Sequence, residues 1–334
     1  MQTQQKHPSV VVIGGGTGTY TILSGLREKP VHATALLTMV DDGGSNKVLR
    51  DEFGLLPTSG VRLAMVALSS QQSLLRELFT YRFHQGTGIT GMTFGNLFLA
   101  AVADITGSQK RAIAETSKLL SVQGDVLPIS YDDVRLVATY SDGHDVVGEH
   151  LIDEPEHDGT LRIVAMKTVP MAKIDDDAKQ AILDADLVIL GPGDFYTNTV
   201  ANLVIGGVVD ALMHTKAKVI FVMNLISKYG EAYNYKASDY IQDLGQYMPL
   251  ERLNGILINS DMAYPQAALD KYVTERSIPV EDDLNTLDLP HVVIKREPIV
   301  SSEVIETQAG DRVKRSMIRH DAEKLSEAVL SFLE

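Results

Sequence analysis

Gly14–Gly15–Gly16–Thr17–Gly18 follows the apolar run Val10–Ile13 and precedes a segment with apolar residues at helical spacing, Ile22, Leu23 and Leu26. A strand that ends in glycines and leads into a helix is suited to hold phosphate. Glycine permits positive φ and lets backbone approach an anion closely. The helix that follows offers free amides and the positive end of its dipole. The segment is not G-x-G-x-x-G, because Thr19 stands where the last glycine would, and it lacks the Gly-Lys-Ser/Thr of a P-loop. The alternative is a tight turn without a ligand. A second cluster, Asp41–Asp42–Gly43–Gly44–Ser45, closes another strand-like run, Ala33–Val40. In a dinucleotide-binding fold an acid here holds ribose hydroxyls. Adjacent carboxylates can also take a magnesium ion or assist a reacting hydroxyl, so Asp41 and Asp42 are candidate catalytic and metal-binding residues. The plainer alternative is that one of them caps the next helix.

Two later clusters resemble the first, and a single asparagine adds to them. Gly95–Asn96 begins a long apolar helix, Gly191–Pro192–Gly193 ends a buried-type strand, and Asn224 ends another. Turns at strand ends share one edge of a parallel sheet, and ligands bind at that edge.

The elements around these turns alternate. Strand-like Val10–Ile13 and Ala33–Val40 are followed by helical Val61–Ser70, Leu74–Phe83, Asn96–Thr106 and Arg111–Ser121. Such alternation marks a parallel sheet with covering helices. From about Val122 the pattern changes to short strands, Val126–Ile129, Val134–Tyr140, Val146–His150 and Leu161–Lys167, with a hairpin turn at Ser141–His144. Parallel-type strands resume at Leu187–Leu190, Val219–Met223 and Ile256–Ile258, and His320–Leu333 is a closing amphipathic helix. The expectation is one α/β domain over residues 1–334. It has three layers, a mostly parallel sheet and an antiparallel β insertion at about 122–168. Asp175–Asp177 and Asp321 are expected to start helices. Tyr229, Tyr233 and Tyr235 form either a ligand-stacking lid or an ordinary loop.

The chain has 334 residues, 44% of them hydrophobic, and a net charge of −14. That acidity argues against nucleic acid or anionic lipid as a general partner. Cysteine is absent, which removes disulfides and thiolate metal sites. The polar N-terminus does not read as a signal peptide, and no apolar run reaches the ~18 residues of a membrane span. A cytoplasmic location is expected. The nine histidines form no metal-spaced pair. A homo-oligomer stays open, since apolar helices such as Asn96–Thr106 serve a dimer as well as a core.

Taken in order, "GGGTG…SGL" (Gly14–Gly18 with Leu26), "DDGGS" (Asp41–Ser45), "FGNLFLA" (Gly95–Leu99), "GPGDFYT" (Gly191–Gly193, Tyr196–Thr197) and His320–Asp321 resemble the CofD/YvcK family of Rossmann-like proteins. The match runs from about residue 9 to the C-terminus and looks most like the YvcK branch, the gluconeogenesis factors. That resemblance implies binding of a nucleotide or UDP-sugar, with roles in cell shape, wall synthesis and carbon metabolism. The CofD branch would imply transfer of a phospholactyl group from a nucleotide donor to a deazaflavin, with magnesium. The implied ligand-binding set is Gly14, Gly15, Gly16, Thr17, Gly18, Gly43, Gly44, Ser45, Arg62, Gly95, Asn96, Gly191, Pro192, Gly193 and Asn224. The chain departs from the family pattern at Lys47 and Val48, at Gly60 and Leu63 around the retained Arg62, at Met92 in place of a histidine, and at Asp194. These losses favour binding over the full transferase reaction. An NAD-dependent dehydrogenase is the remaining alternative.

Overall fold

A computed structural model describes residues 7–70, 74–303 and 317–334. Strand β1 (Ser9–Gly14) lies in the middle of a seven-stranded sheet whose order is β10-β9-β8-β7-β1-β2-β3. The others are β2 (His32–Leu37), β3 (Asp125–Pro128), β7 (Leu187–Leu190), β8 (Lys218–Val222), β9 (Gly255–Asn259) and β10 (Val293–Glu297). Every neighbouring pair is parallel. Val10 to Ile13 are all 0% exposed, which explains a strand apolar on both faces: helices cover it on both sides.

One layer packs against Val10 and Val12. It contains α1 (Gly16–Leu26), α3 (Ser59–Leu68), α5 (Phe94–Thr106) and α13 (Ala322–Leu330), through Ile22, Met65, Leu99 and Val329. The other packs against Val11 and Ile13. It contains α8 (Asp176–Leu183), α10 (Val208–His214) and α11 (Ala237–Tyr247), through Ile182, Leu212 and Leu244. The remaining helices are α2 (Gly44–Phe53), α4 (Leu74–Thr80), α6 (Gln109–Leu119), α7 (Glu149–Asp153), α9 (Ala201–Leu203) and α12 (Gln266–Thr274). A short π-turn, Phe195–Val200, leads into α9. Asp175 caps α8 by accepting from the Asp177 amide, and Asp321 caps α13 from Glu323 and Lys324.

A three-stranded antiparallel sheet, order β5-β4-β6, sits beside the second layer: β4 (Arg135–Tyr140), β5 (Asp145–Val147) and β6 (Ile163–Val169). The run Val126–Ile129, expected among these antiparallel strands, instead supplies β3, the parallel edge strand beside β2. Its apolar character fits either setting; the helices α5 and α6 before it supply the crossover that a parallel partner requires. Residues 149–150, expected at a strand end, begin α7. Among the described residues no helix is long and apolar enough to cross a membrane.

The strand order reverses between β1 and β7. The chain first moves outward through β2 to β3, then returns to the other side of β1 and runs out to β10. Such a switch point leaves a crevice between the two diverging connections. Helix α1, which lines it, is held from behind by α13: a Cβ on Gly25 would lie 2.1 Å from the Ala322 carbonyl oxygen and 2.9 Å from Ser326 Cβ. Gly25→Val should therefore force the two helices apart and lower unfolding stability by about 3 kcal/mol, the upper end of overpacking penalties, measured by urea denaturation. A loss within the ~0.5 kcal/mol typical of surface changes would refute this close contact.

Candidate functional site

A cavity of about 600 Å³ occupies the crevice at the switch point. Three helices open on it by their N-termini. Helix α1 begins after Gly15, with Gly16 at φ 63°; α2 begins after Gly43, with Gly44 at φ 49°; α3 begins after Thr58. None of the three carries a side-chain cap or an acid in its first turn. The Thr58 hydroxyl is buried without a partner. Helices α5, α6, α8 and α13 do carry a side-chain cap, which Thr93 supplies for α5. The first amides of a helix have no partner within the helix, so three sets of donors face one space.

The glycines of the first turn are also fixed by crowding. A Cβ on Gly18 would lie 2.5 Å from the Pro192 carbonyl oxygen, and one on Gly15 would lie 2.0 Å from Asn198 Oδ1. The β1 and β7 turns therefore touch through backbone. Gly15, Gly16, Thr17, Gly18, Gly43, Gly44, Ser45, Arg62, Pro192, Gly193 and Asn224 all line the cavity, as does Asp41. Asn224 donates to the Gly193 carbonyl at 2.7 Å and steadies that turn.

Other expected residues lie behind the wall. The Gly14 carbonyl accepts from Asn202 Nδ2, and Gly191 sits at the strand end beneath the lining. Asn96 donates to Ser45 Oγ at 3.2 Å and Ser59 Oγ at 3.1 Å, and accepts from Arg62 Nε at 2.9 Å. It thereby ties the starts of α2 and α3 together. Arg62 also donates to the Phe79 carbonyl, and Gly95 is small because a Cβ there would meet Arg62 Cδ at 2.6 Å. The π-turn after Gly193 is not a phosphate cradle. Its amides at Tyr196 and Thr197 donate to Glu231 Oε2 at 3.0 and 3.1 Å.

The adjacent carboxylates diverge. Asp41 faces the cavity and accepts from the Gly43 amide at 2.9 Å and Asn46 Nδ2 at 2.6 Å. Burial pushes its pKa up to about 6 against the Gly43 hydrogen bond, with the charge of Asp42 adding to the rise. Asp42 lies outside the lining and accepts from the His150 amide at 2.9 Å. The two therefore do not converge on one ion, and the magnesium expected at this pair does not fit them. Among the described residues, one carboxylate cluster has metal-site spacing: Asp153, Asp194 and Glu231. Lys228 contacts all three, at 2.8 Å for Asp194 and 3.2 Å for Glu231, so an ammonium already sits there.

Lys228, Asp153, Glu231 and Glu149 are site residues that spacing alone does not single out. Burial opposes charge on Lys228, yet its three carboxylates hold its pKa well above the ordinary value. Burial, then the charges of Asp41 and Asp153, raise Glu149 well above the usual carboxylate range. The tyrosine segment supplies Lys228 to the lining, with Glu231 buried behind it, while Tyr229, Tyr233 and Tyr235 stay outside the lining. Tyr235 donates to Asp243, and Tyr229 accepts from the Gly159 amide. Met92 packs with Leu49 and Ala100 in a small apolar cluster, while Gly60 and Leu63 line the cavity.

Asp41 gives a signed pH dependence. Its folded pKa, about 6, lies above the ordinary 3.8. The resulting stabilisation is complete below the ordinary value and is lost as pH rises through about 6. Asp41→Asn, which keeps an acceptor for Gly43, should thus match the native protein at pH 4 and exceed its stability by about 1–3 kcal/mol at pH 8. Urea denaturation at the two pH values checks this; destabilisation at pH 8 would contradict it.

The sequence pattern of the family described as 2-phospho-L-lactate transferase CofD matches residues 10–300. The chain is 34% identical over 327 residues to the gluconeogenesis factor of Bacillus subtilis, covering 98% of both chains. It is 35% identical over 328 residues to the gluconeogenesis factor of Halalkalibacterium halodurans, covering 97% of this chain and 96% of that one. A crystal structure of a Bacillus halodurans protein superposes with a TM-score of 0.88 at 35% identity, over 97% of this chain and 100% of the other. A second, of a UPF0052-family protein from the same organism, gives a TM-score of 0.88 at 34% identity, over 98% and 99% of the two chains. With the parallel sheet, the switch-point cavity and the glycine turns in place, the chain belongs to the CofD/YvcK family, on its gluconeogenesis-factor branch.

Proposed function

We propose that the protein binds a nucleoside diphosphate sugar of the UDP-sugar kind. Through that binding it acts as a gluconeogenesis factor in cell shape, wall synthesis and carbon metabolism. One observation carries the reading: three helices open on a single cavity without side-chain caps. Their free amides and dipole ends favour an anion, each helix contributing about 0.3–1 kcal/mol. A diphosphate has enough oxygens to meet donors from more than one helix at once. Backbone amides also suit a chain of net charge −14, since they hold an anion without a basic patch. The cavity, about 600 Å³, falls within the range of small-molecule sites. Ser45 and Ser59, held by Asn96, add hydroxyls beside the amides.

Transfer of the CofD kind is the second reading, and Asp41 favours it. A carboxylate with a pKa of about 6 in a cavity wall can accept a proton from a hydroxyl near neutral pH. The side chains at Gly60, Leu63 and Met92 weigh the other way, since they offer no acid, amide or imidazole where the family pattern has them.

Gly16→Val tests the binding reading. At φ 63° a branched residue is strained, and a Cβ there would meet the Asn198 side-chain amide in the cavity wall at 3.7 Å. Isothermal titration with UDP-sugars should show measurable affinity for the native protein and none for the variant, at unchanged circular dichroism. Equal affinities would remove the cradle from the account. Phospholactyl transfer to a deazaflavin that disappears in Asp41→Asn would establish the second reading instead.

A further inference from the structure

Glu149 opens α7 and lines the cavity, where it is partly exposed. The loop after β2 holds this part of the chain in place. Asp42 accepts from the His150 amide at 2.9 Å, and a Cβ on Gly43 would lie 3.3 Å from His150 Nδ1. The carboxylates around Glu149 have donors. Asp41 accepts from the Gly43 amide and from Asn46, while Asp153 and Asp194 accept from Lys228. Among the described residues no donor reaches the Glu149 carboxyl, which meets its neighbours through charge alone. A carboxyl taken out of bulk water without hydrogen bonds is unfavourable until a partner meets it. Its oxygens are not sealed off, so a molecule in the cavity can supply that partner.

The surroundings narrow the kind of molecule. Asp41, Asp153, Lys228 and Glu231 all act on Glu149, so this part of the wall is polar. Such a wall suits hydroxyl groups better than the apolar face of a planar ring. Burial, then the charges of Asp41 and Asp153, favours the protonated carboxyl, which offers an O–H donor and an acceptor oxygen. A sugar hydroxyl is likewise both donor and acceptor. The charge balance is one-sided as well. Lys228 is already shared by Asp153, Asp194 and Glu231. A ligand carboxylate brought beside Glu149 would therefore meet like charge, which is strongly unfavourable.

We propose that Glu149 hydrogen-bonds a hydroxyl of a neutral sugar carried on the bound nucleoside diphosphate, and that the acid-lined wall around it turns away sugars bearing a carboxylate. The inference rests on the nucleotide-sugar reading and adds the class of sugar. The phosphates stay on the amides of α1, α2 and α3, so Glu149 acts on the sugar and not on the anchor.

Isothermal titration of the full chain with UDP, UDP-glucose and UDP-glucuronate tests this. The two sugars differ in one group, a hydroxymethyl against a carboxylate. In the native protein UDP-glucose should bind at least about tenfold more tightly than UDP, and UDP-glucuronate at least about tenfold more weakly than UDP-glucose. In Glu149→Ala the preference for UDP-glucose over UDP should fall below about threefold. In Glu149→Gln, whose carboxamide keeps a donor and an acceptor, that preference should persist. Equal native affinities for UDP and UDP-glucose, or for the two sugars, would overturn the proposal. So would a preference that persists in Glu149→Ala, or one that Glu149→Gln loses as fully as Glu149→Ala. The native comparison decides alone if the variants do not fold. Failure of UDP and both UDP-sugars to bind would instead overturn the nucleotide reading, and this inference with it.

Discussion

Gly14 and Gly191 end neighbouring strands, and their connections leave toward opposite faces of the sheet. The two turns pass so closely that a Cβ on Gly193 would lie 3.1 Å from the Gly15 carbonyl oxygen, and one on Gly18 would lie 2.5 Å from that of Pro192. Side chains at these positions would fill the crevice or push the turns apart. Glycine keeps them in backbone contact, and the same constraint leaves α1 without a capping side chain. The tightness of the turn and the openness of its amides to the cavity thus have one cause. The close approach produces the exposed amides.

The cavity has two electrostatic ends. One is made of amides from α1, α2 and α3. The other holds Glu149, Asp153 and Asp194, with Lys228 bridging the last two to the buried Glu231 behind the wall, and Asp41 lies at the start of α2. Glu231 fills the amides of the π-turn after Gly193, so that helix start is satisfied internally. Lys228 joins α7, beside the small antiparallel sheet, to the turn after β7. Burial raises Glu231 to about 7 and Asp41 to about 6, so the site carries charged groups out of water. Such strain is common at binding sites, where stability is traded for function.

The parallel sheet and the glycine turns that line its switch-point cavity were legible in the sequence because β-branched runs end in glycines there. The sequence also pointed to the caps at Asp175 and Asp321, since each acid stands directly before a helical pattern. Long-range contacts were not legible. The π-turn that follows Gly193 looks like a second helix start with free amides until Glu231, 35 residues past Tyr196, is seen on them. Asp41 and Asp42 look like a pair, but the His150 amide draws Asp42 away. Val126–Ile129 has the length and composition of either kind of strand, and only its partner β2 decides. Lys228 and Glu149 sit in segments whose local pattern says loop or strand, and their chemistry comes from what folds against them.

A crystal structure of the protein with UDP bound tests the central claim most directly. The account predicts phosphate oxygens within about 3 Å of the amides of Gly16–Gly18, with further bonds from the starts of α2 or α3. Phosphates held instead by Lys228, or by the Tyr196–Thr197 amides after Glu231 has moved aside, would contradict it.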